Sequence, residues 1–143
     1  MSDRIIVLKG SPIVKEAKAG EAGILPGHRL ILDSAGDVVR GGAAGALTGA
    51  TRRAFAVEAD VIGNTAADVY ADNDQVKYVV GAPGDEVNVR LASGLTFDAG
   101  DDLFAGANGQ FTDVPGSGIV PIGIALASAA GSSADDLVAM EVS

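Results

Sequence analysis

From Glu86 to Leu91 the chain alternates without a fault, with Val87, Val89 and Leu91 on one side and Glu86, Asn88 and Arg90 on the other. That period of two is the mark of a strand with one buried and one wet face. It constrains the fold because its flanks repeat the same grammar. Val76 to Val80 is a β-branched and aromatic run of strand length. Gly81-Ala82-Pro83-Gly84-Asp85 follows, where Pro83 presets φ and Gly84 can take the positive φ of a type II turn. Ser93-Gly94 interrupts the alternation, Leu95 and Phe97 resume it, and Asp98-Ala99-Gly100-Asp101 stops it again. Leu103 to Ala105, Asn108-Gly109 and Phe111 read as a last hairpin, since Asn-Gly suits the type I′ turn that matches strand twist. Residues 75–111 are therefore expected to form a compact antiparallel unit, and no side chain in it has a catalytic pattern.

The remaining chain reads the same way. Ile5 to Leu8 is a first strand ended by Lys9-Gly10-Ser11-Pro12, because glycine and proline punctuate ladders. Residues 13–19 fit a strand or one helical turn, and the pattern does not decide. Gly20 to Gly27 is a loop; Leu30 to Leu32 and Val38-Val39 flank a turn and form a hairpin. Ala54 to Glu58 is a strand, residues 61–74 are a polar connection with room for one short helix at 66–70, residues 118–127 are an apolar strand, 128–136 a small-residue loop and Leu137 to Val142 a closing strand. Helix-period stretches are almost absent, so the expected class is all-β, with many short hairpins.

A chain of 143 residues is one ordinary domain. Its 48% apolar content leans on Ala and Val, with 4% aromatics, which implies a thin core and stability shared with neighbours. The absence of cysteine excludes disulfides, thiolate metal sites and cysteine nucleophiles. The apolar run Ile5 to Leu8 is too short for a signal-peptide core or a membrane span, so no membrane association and a cytoplasmic site of synthesis are expected. Net charge is −9 and unevenly spread: residues 1–53 hold eight Lys/Arg against five Asp/Glu, and residues 54–143 hold two against fourteen. Such a surface repels nucleic acid over most of its area.

Candidate chemical sites are few. The Gly41–Ala50 run lacks the Lys-Ser/Thr pair of a phosphate loop and reads as a flexible loop. His28, beside Arg29, has no nucleophile placed by any motif and reads as a surface histidine whose removal leaves function intact. Asp68, Asp72 and Asp74 resemble a calcium loop, but Gln75 stands where the glycine belongs and no bidentate glutamate follows. Asp98, Asp101 and Asp102 suit turns, their carboxylates accepting local backbone N–H groups. A biotin- or lipoyl-carrier hairpin would need a tip lysine, and none is present. Catalytic, cofactor and metal sites, and a small-molecule substrate, are therefore not expected.

Several segments in order carry a family resemblance. These are Val7-Leu8-Lys9-Gly10, Gly27-His28, Ala54 to Glu58, Asp68-Val69-Tyr70 and Asp74-Gln75-Val76, then Pro83 to Val87, Leu91 to Leu95, Ala99 to Leu103 and Gly123 to Leu126. In this order the chain resembles the head decoration, or cement, proteins of tailed bacteriophages over nearly its whole length. One departure is Asn73-Asp74, where family hairpins often have Gly-Asp. The resemblance implies a small β-barrel-like fold, the β-tulip, a homotrimer and no enzymatic activity. It also implies a place on the outer surface of the virion, bound to the major capsid protein and stabilising the head. The alternative reading is a non-catalytic β-sandwich module for a sugar, other ligand or calcium ion.

Residues 1–12 are expected to be an N-terminal arm on a domain of residues 13–143. Arg4, Ile5, Ile6, Val7, Leu8 and Lys9 are the expected capsid contacts, because a β-branched apolar run must find a ladder somewhere and residues 1–20 carry a net charge of +2. The competing expectation is that Ile5 to Leu8 is an internal strand.

Overall fold

The computed structural model describes residues 6–42, 52–59, 63–114 and 121–143. They contain thirteen strands, no α-helix and one 3₁₀ turn, and the all-β expectation holds. Six strands form the main antiparallel sheet: β1 (Val7–Lys9), β7 (Glu86–Arg90), β13 (Leu137–Val142), β11 (Gly123–Ala125), β9 (Asp102–Ala105) and β10 (Phe111–Thr112), in that spatial order. The closing strand β13 has the expected bounds, and its alternation buries Val138, Met140 and Val142. The sheet curls until Phe111 meets Leu91 in one isolated parallel bridge, so it wraps a core without closing into a barrel.

A second sheet has the order β2 (Ile13–Lys18), β6 (Gln75–Val80) and β5 (Ala54–Ala56). Residues 13–19, which fit either structure in sequence, are a strand because β6 offers six matched partners, from Ile13 opposite Val80 to Lys18 opposite Gln75. Four of the six β6 residues are apolar, and its C-terminal half is so without a break because alternate residues there enter different cores. Val79 joins Phe55, Val87, Leu103, Phe111 and Met140 in the larger cluster, where the Phe55 and Phe111 rings lie 6.0 Å apart. Val76 and Tyr78 join Ile24, Leu30, Val38 and Tyr70 in the smaller cluster. That cluster lies beneath the hairpin of β3 (Leu30–Leu32) and β4 (Val38–Arg40). β8 (Thr96–Phe97) pairs with β12 (Ala129–Ala130), placing a short strand where a loop is expected. The helix allowed at residues 66–70 is a turn at 65–68.

The turn chemistry matches the sequence. Asn108 (φ 55°) and Gly109 (φ 71°) both take the left-handed conformation of a type I′ turn, and Gly84 takes φ 94°. Asn73 takes φ 68°, so at the Asn-Asp departure asparagine supplies the backbone conformation glycine usually provides. The Glu86–Leu91 strand differs in one respect. Asn88 is buried and Arg90 half-buried, because the loop at residues 24–29 lies over the face expected to be wet.

Candidate functional site

That loop makes the densest polar cluster among the described residues. The N–H of His28 donates to the Leu25 carbonyl at 3.0 Å, closing a turn, and the N–H of Leu25 donates back to His28 Nδ1 at 3.0 Å. Because Nδ1 accepts, the ring proton sits on Nε2, which donates to Asp135 Oδ1 at 2.8 Å. Asp135 also accepts from Gln110 Nε2 at 3.0 Å. Arg90 donates to three main-chain carbonyls, those of Pro26, Asp135 and Ala66, and so ties β7 to the loop and to two turns. The Arg29 and Gly109 backbones continue the network, the Arg29 N–H donating to the Gly109 carbonyl at 2.8 Å. Gly41 permits its closure, since a Cβ there would stand 2.5 Å from the Arg29 guanidinium.

The expectation of a surface histidine is thus overturned: His28 is 1% exposed. Burial pushes its imidazole below the ordinary value, and the bond and charge of Asp135 restore only part of that. Burial works against the charge of Asp135, but hydrogen bonds from Gln110 and His28 and the charge of Arg90 outweigh it and hold the carboxyl below its usual range. Burial likewise opposes the charge of Glu21, and the bonds from Arg40 outweigh it there too. The His28–Asp135 pair has the outline of a base and its orienter, but both ring nitrogens are engaged in holding the loop. The pair serves as a cross-link among three distant segments.

Of the three aspartates expected to accept local backbone N–H groups, Asp101 does so, from Asp98, while Asp102 lies in β9. In five turns an aspartate donates its own N–H to the carbonyl three residues earlier, while its carboxylate accepts the N–H of that same residue. The aspartates are Asp68, Asp74, Asp85, Asp101 and Asp136, at carboxylate distances of 2.8 to 3.0 Å. Among the described residues no three His, Asp or Glu side chains converge as a metal site.

The expected capsid-contact residues fall into three groups. Arg4 and Ile5 lie outside the described residues, as do residues 43–51 of the glycine-rich run. Ile6 is fully buried, its N–H donating to Glu58 Oε2 at 3.1 Å and its carbonyl accepting from the Asn88 N–H at 2.7 Å. Val7 and Lys9 pair with Val87 and Glu86, so residues 6–9 are built into the domain as an edge strand and do not stand off it as an arm. The physical reason is that Ile6 fills the main core while β7 supplies the ladder its backbone needs. Leu8 and Lys9 are exposed.

Exposed aliphatic side chains continue past the Gly10 turn. Gly10 takes φ 102°, and a Cβ there would overlap the Asp85 carboxylate. Beyond it, Ile13 is 64% exposed and Val14 57%, beside Leu8 at 38%. Val14 forms one wall of a cleft of about 240 Å³ whose other apolar walls are Val7, Pro12, Val57 and Val79. The expected contact residues 4–9 stop short of Ile13 and Val14, which are more exposed than Leu8. Their signal was a β-branched pair next to Lys15, with no turn residue to bury it.

No protein-family model and no curated protein matches the chain. Among solved structures, it is similar to the head fiber gp8.5 N base of bacteriophage phi29, with a TM-score of 0.56. The match covers 93% of this chain and 95% of that one at 13% identity. Agreement of two nearly whole chains at that identity establishes a shared fold.

Proposed function

We propose that this chain is a structural protein of a tailed-phage head, a decoration protein bound to the major capsid protein on the outer surface of the shell. The observation that carries this reading is the fold shared end to end with a phage head-fiber base. The sequence resemblance to cement proteins points the same way. The role is mechanical: a non-catalytic β domain, assembled as homotrimers, adds contacts across shell subunits and so raises the cost of pulling them apart. Its acidic body keeps packaged and foreign nucleic acid off the surface.

The test is to mix purified protein with undecorated heads from its phage, sediment them and image the pellet. Saturable binding in clusters of three, with heads surviving a harsher chelator or heat challenge than bare ones, supports the reading. Absence of binding to expanded heads refutes it. The same structural neighbour favours a second reading, the base of a projecting fibre, and density extending outward beyond the domain in the same images would select it.

A further inference from the structure

Strand β2 is the outer strand of its sheet, and among the described residues no backbone hydrogen bond reaches its free side between Ile13 and Lys18. The chain has four lysines, Lys9, Lys15, Lys18 and Lys77, and all stand on β1, β2 or the neighbouring β6. Residues 6–18 hold three lysines against one glutamate in a protein of net charge −9. Lysine on an open edge commonly guards against stray pairing. A guard alone gives no reason for an aliphatic pair, yet Ile13 and Val14, the first two residues of β2, are both more than half exposed.

We propose that the open edge of β2 is a strand-addition site for an extended, antiparallel segment of a partner protein that carries two spaced carboxylates followed by two aliphatic residues. The aliphatic pair would lie against Ile13 and Val14, beside the apolar cleft, and the carboxylates against Lys15 and Lys18. A second copy of this chain is the poorer occupant. A twofold axis normal to the sheet sets residues of equal parity opposite one another, so registers centred on Lys15 or Glu16 oppose like charges. The register centred on Val14 sets Ile13 against Lys15, and the register centred on Ala17 pairs Glu16 with Lys18 but leaves Ile13 and Val14 opposite Glu21 and Gly20, beyond the strand. The partner is therefore a different chain, and its identification as the shell protein rests on the decoration reading.

The probe is an acetylated, amidated octapeptide, Thr-Glu-Thr-Thr-Glu-Val-Val-Thr, compared with the same peptide carrying lysine for glutamate. Against the full chain, the acidic peptide should shift and protect the amides of residues 13–18 and bind about tenfold more tightly than the basic one. Lys15→Glu/Lys18→Glu should reverse that preference with the fold intact. Binding elsewhere, no binding at millimolar peptide, or an unreversed preference overturns the site. So does a charge-reversed variant that merely self-associates, which would leave the lysines as guards alone. Decoration of heads is scored separately. Heads decorated equally by parent and variant sink this site and spare the decoration reading, whereas charge-selective peptide binding without decoration does the opposite.

Discussion

His28 should make the stability of this protein fall on mild acidification, and the magnitude can be bounded from the geometry. The imidazole is buried, accepts a hydrogen bond at Nδ1 from the Leu25 N–H, and donates from Nε2 to Asp135. A second ring proton would have to enter at Nδ1, facing an N–H donor, and would break the turn. The charged groups acting on the ring are Asp135, Arg40, Arg90 and Glu21; the two arginines oppose protonation and the carboxylates favour it. Burial is the largest influence, and the folded value lies below the ordinary 6.5. The unfolded chain therefore binds more protons than the folded one as pH falls from about 6.5 toward the folded value. Stability present above pH 6.5 is lost through that window, at no more than about 1.4 kcal/mol per pH unit for one group.

His28→Gln separates this effect from simple packing. Glutamine keeps a donor toward Asp135 but removes the titrating ring and the acceptor at Leu25. At pH 7.5 it should cost about 1–2 kcal/mol for the lost acceptor, a drop of roughly 4–8 °C in Tm for a domain of this size. Between pH 7.5 and 5.5 the parent should lose more stability than the variant, by no more than about 1.4 kcal/mol, so the gap between them narrows. Urea unfolding at fixed temperature across that range measures both quantities. A gap that stays constant refutes the proton-linked argument. A gap that widens means that the folded form is an imidazolium–carboxylate pair, with the opposite sign of linkage. Below about pH 4 Asp135 and Glu21 take up protons, their folded values being depressed, and both proteins should weaken together.

Gly41→Ala and Gly123→Ala should each cost about 2–3 kcal/mol in urea unfolding, since the new Cβ would stand 2.5 Å from the Arg29 guanidinium or the Glu141 carbonyl; Gly36→Ala, with open space but φ 85°, should cost about 1 kcal/mol. Removing the Asp85 carboxylate as Asp85→Ala should cost about 1–2 kcal/mol, because the Ala82 N–H loses its partner, while millimolar calcium should leave Tm unchanged and calorimetry should record no binding heat. Deleting residues 1–9 removes Ile6 from the core and should destabilise the domain by about 3 kcal/mol or more in urea unfolding and expose the β7 edge.

The parts of this fold legible in the sequence are those whose physics is local. Pro83-Gly84 and Asn108-Gly109 specify their turns through φ alone, and the five turn aspartates need only a backbone N–H three residues away. Strands β6, β7 and β13 announce themselves by apolar period. Period fails at Asn88 and Arg90, where the covering layer comes from Pro26 and Gly27, more than sixty residues earlier in the chain. The same distance hid His28. Its two partners are a neighbour, Leu25, and a residue more than a hundred positions away, Asp135, and only the first could be guessed from sequence. A clue was present in the polar pair His28-Arg29 set between the apolar Ile24-Leu25 and Leu30 to Leu32, since a loop that dips into a core must carry groups able to bond there.

The first strand shows the harder limit. Ile5 to Leu8 has one sequence pattern and two physically sound fates, a ladder within the domain or a ladder on a partner, because an apolar extended segment is satisfied by either. The fate of residues 6–9 is decided by β7, whose edge accepts Val7 and Lys9, and by a main core with room for Ile6. That outcome moves the question of partner contact one strand onward. Once β1 has its ladder, β2 is left, among the described residues, with an unpaired edge, an exposed Ile13-Val14 pair and two of the four lysines. A protein that holds its first apolar strand inward and leaves its second outward has, among its described residues, open hydrogen-bonding capacity at residues 13–18, and on the decoration proposal that is where contact with a shell should be sought first.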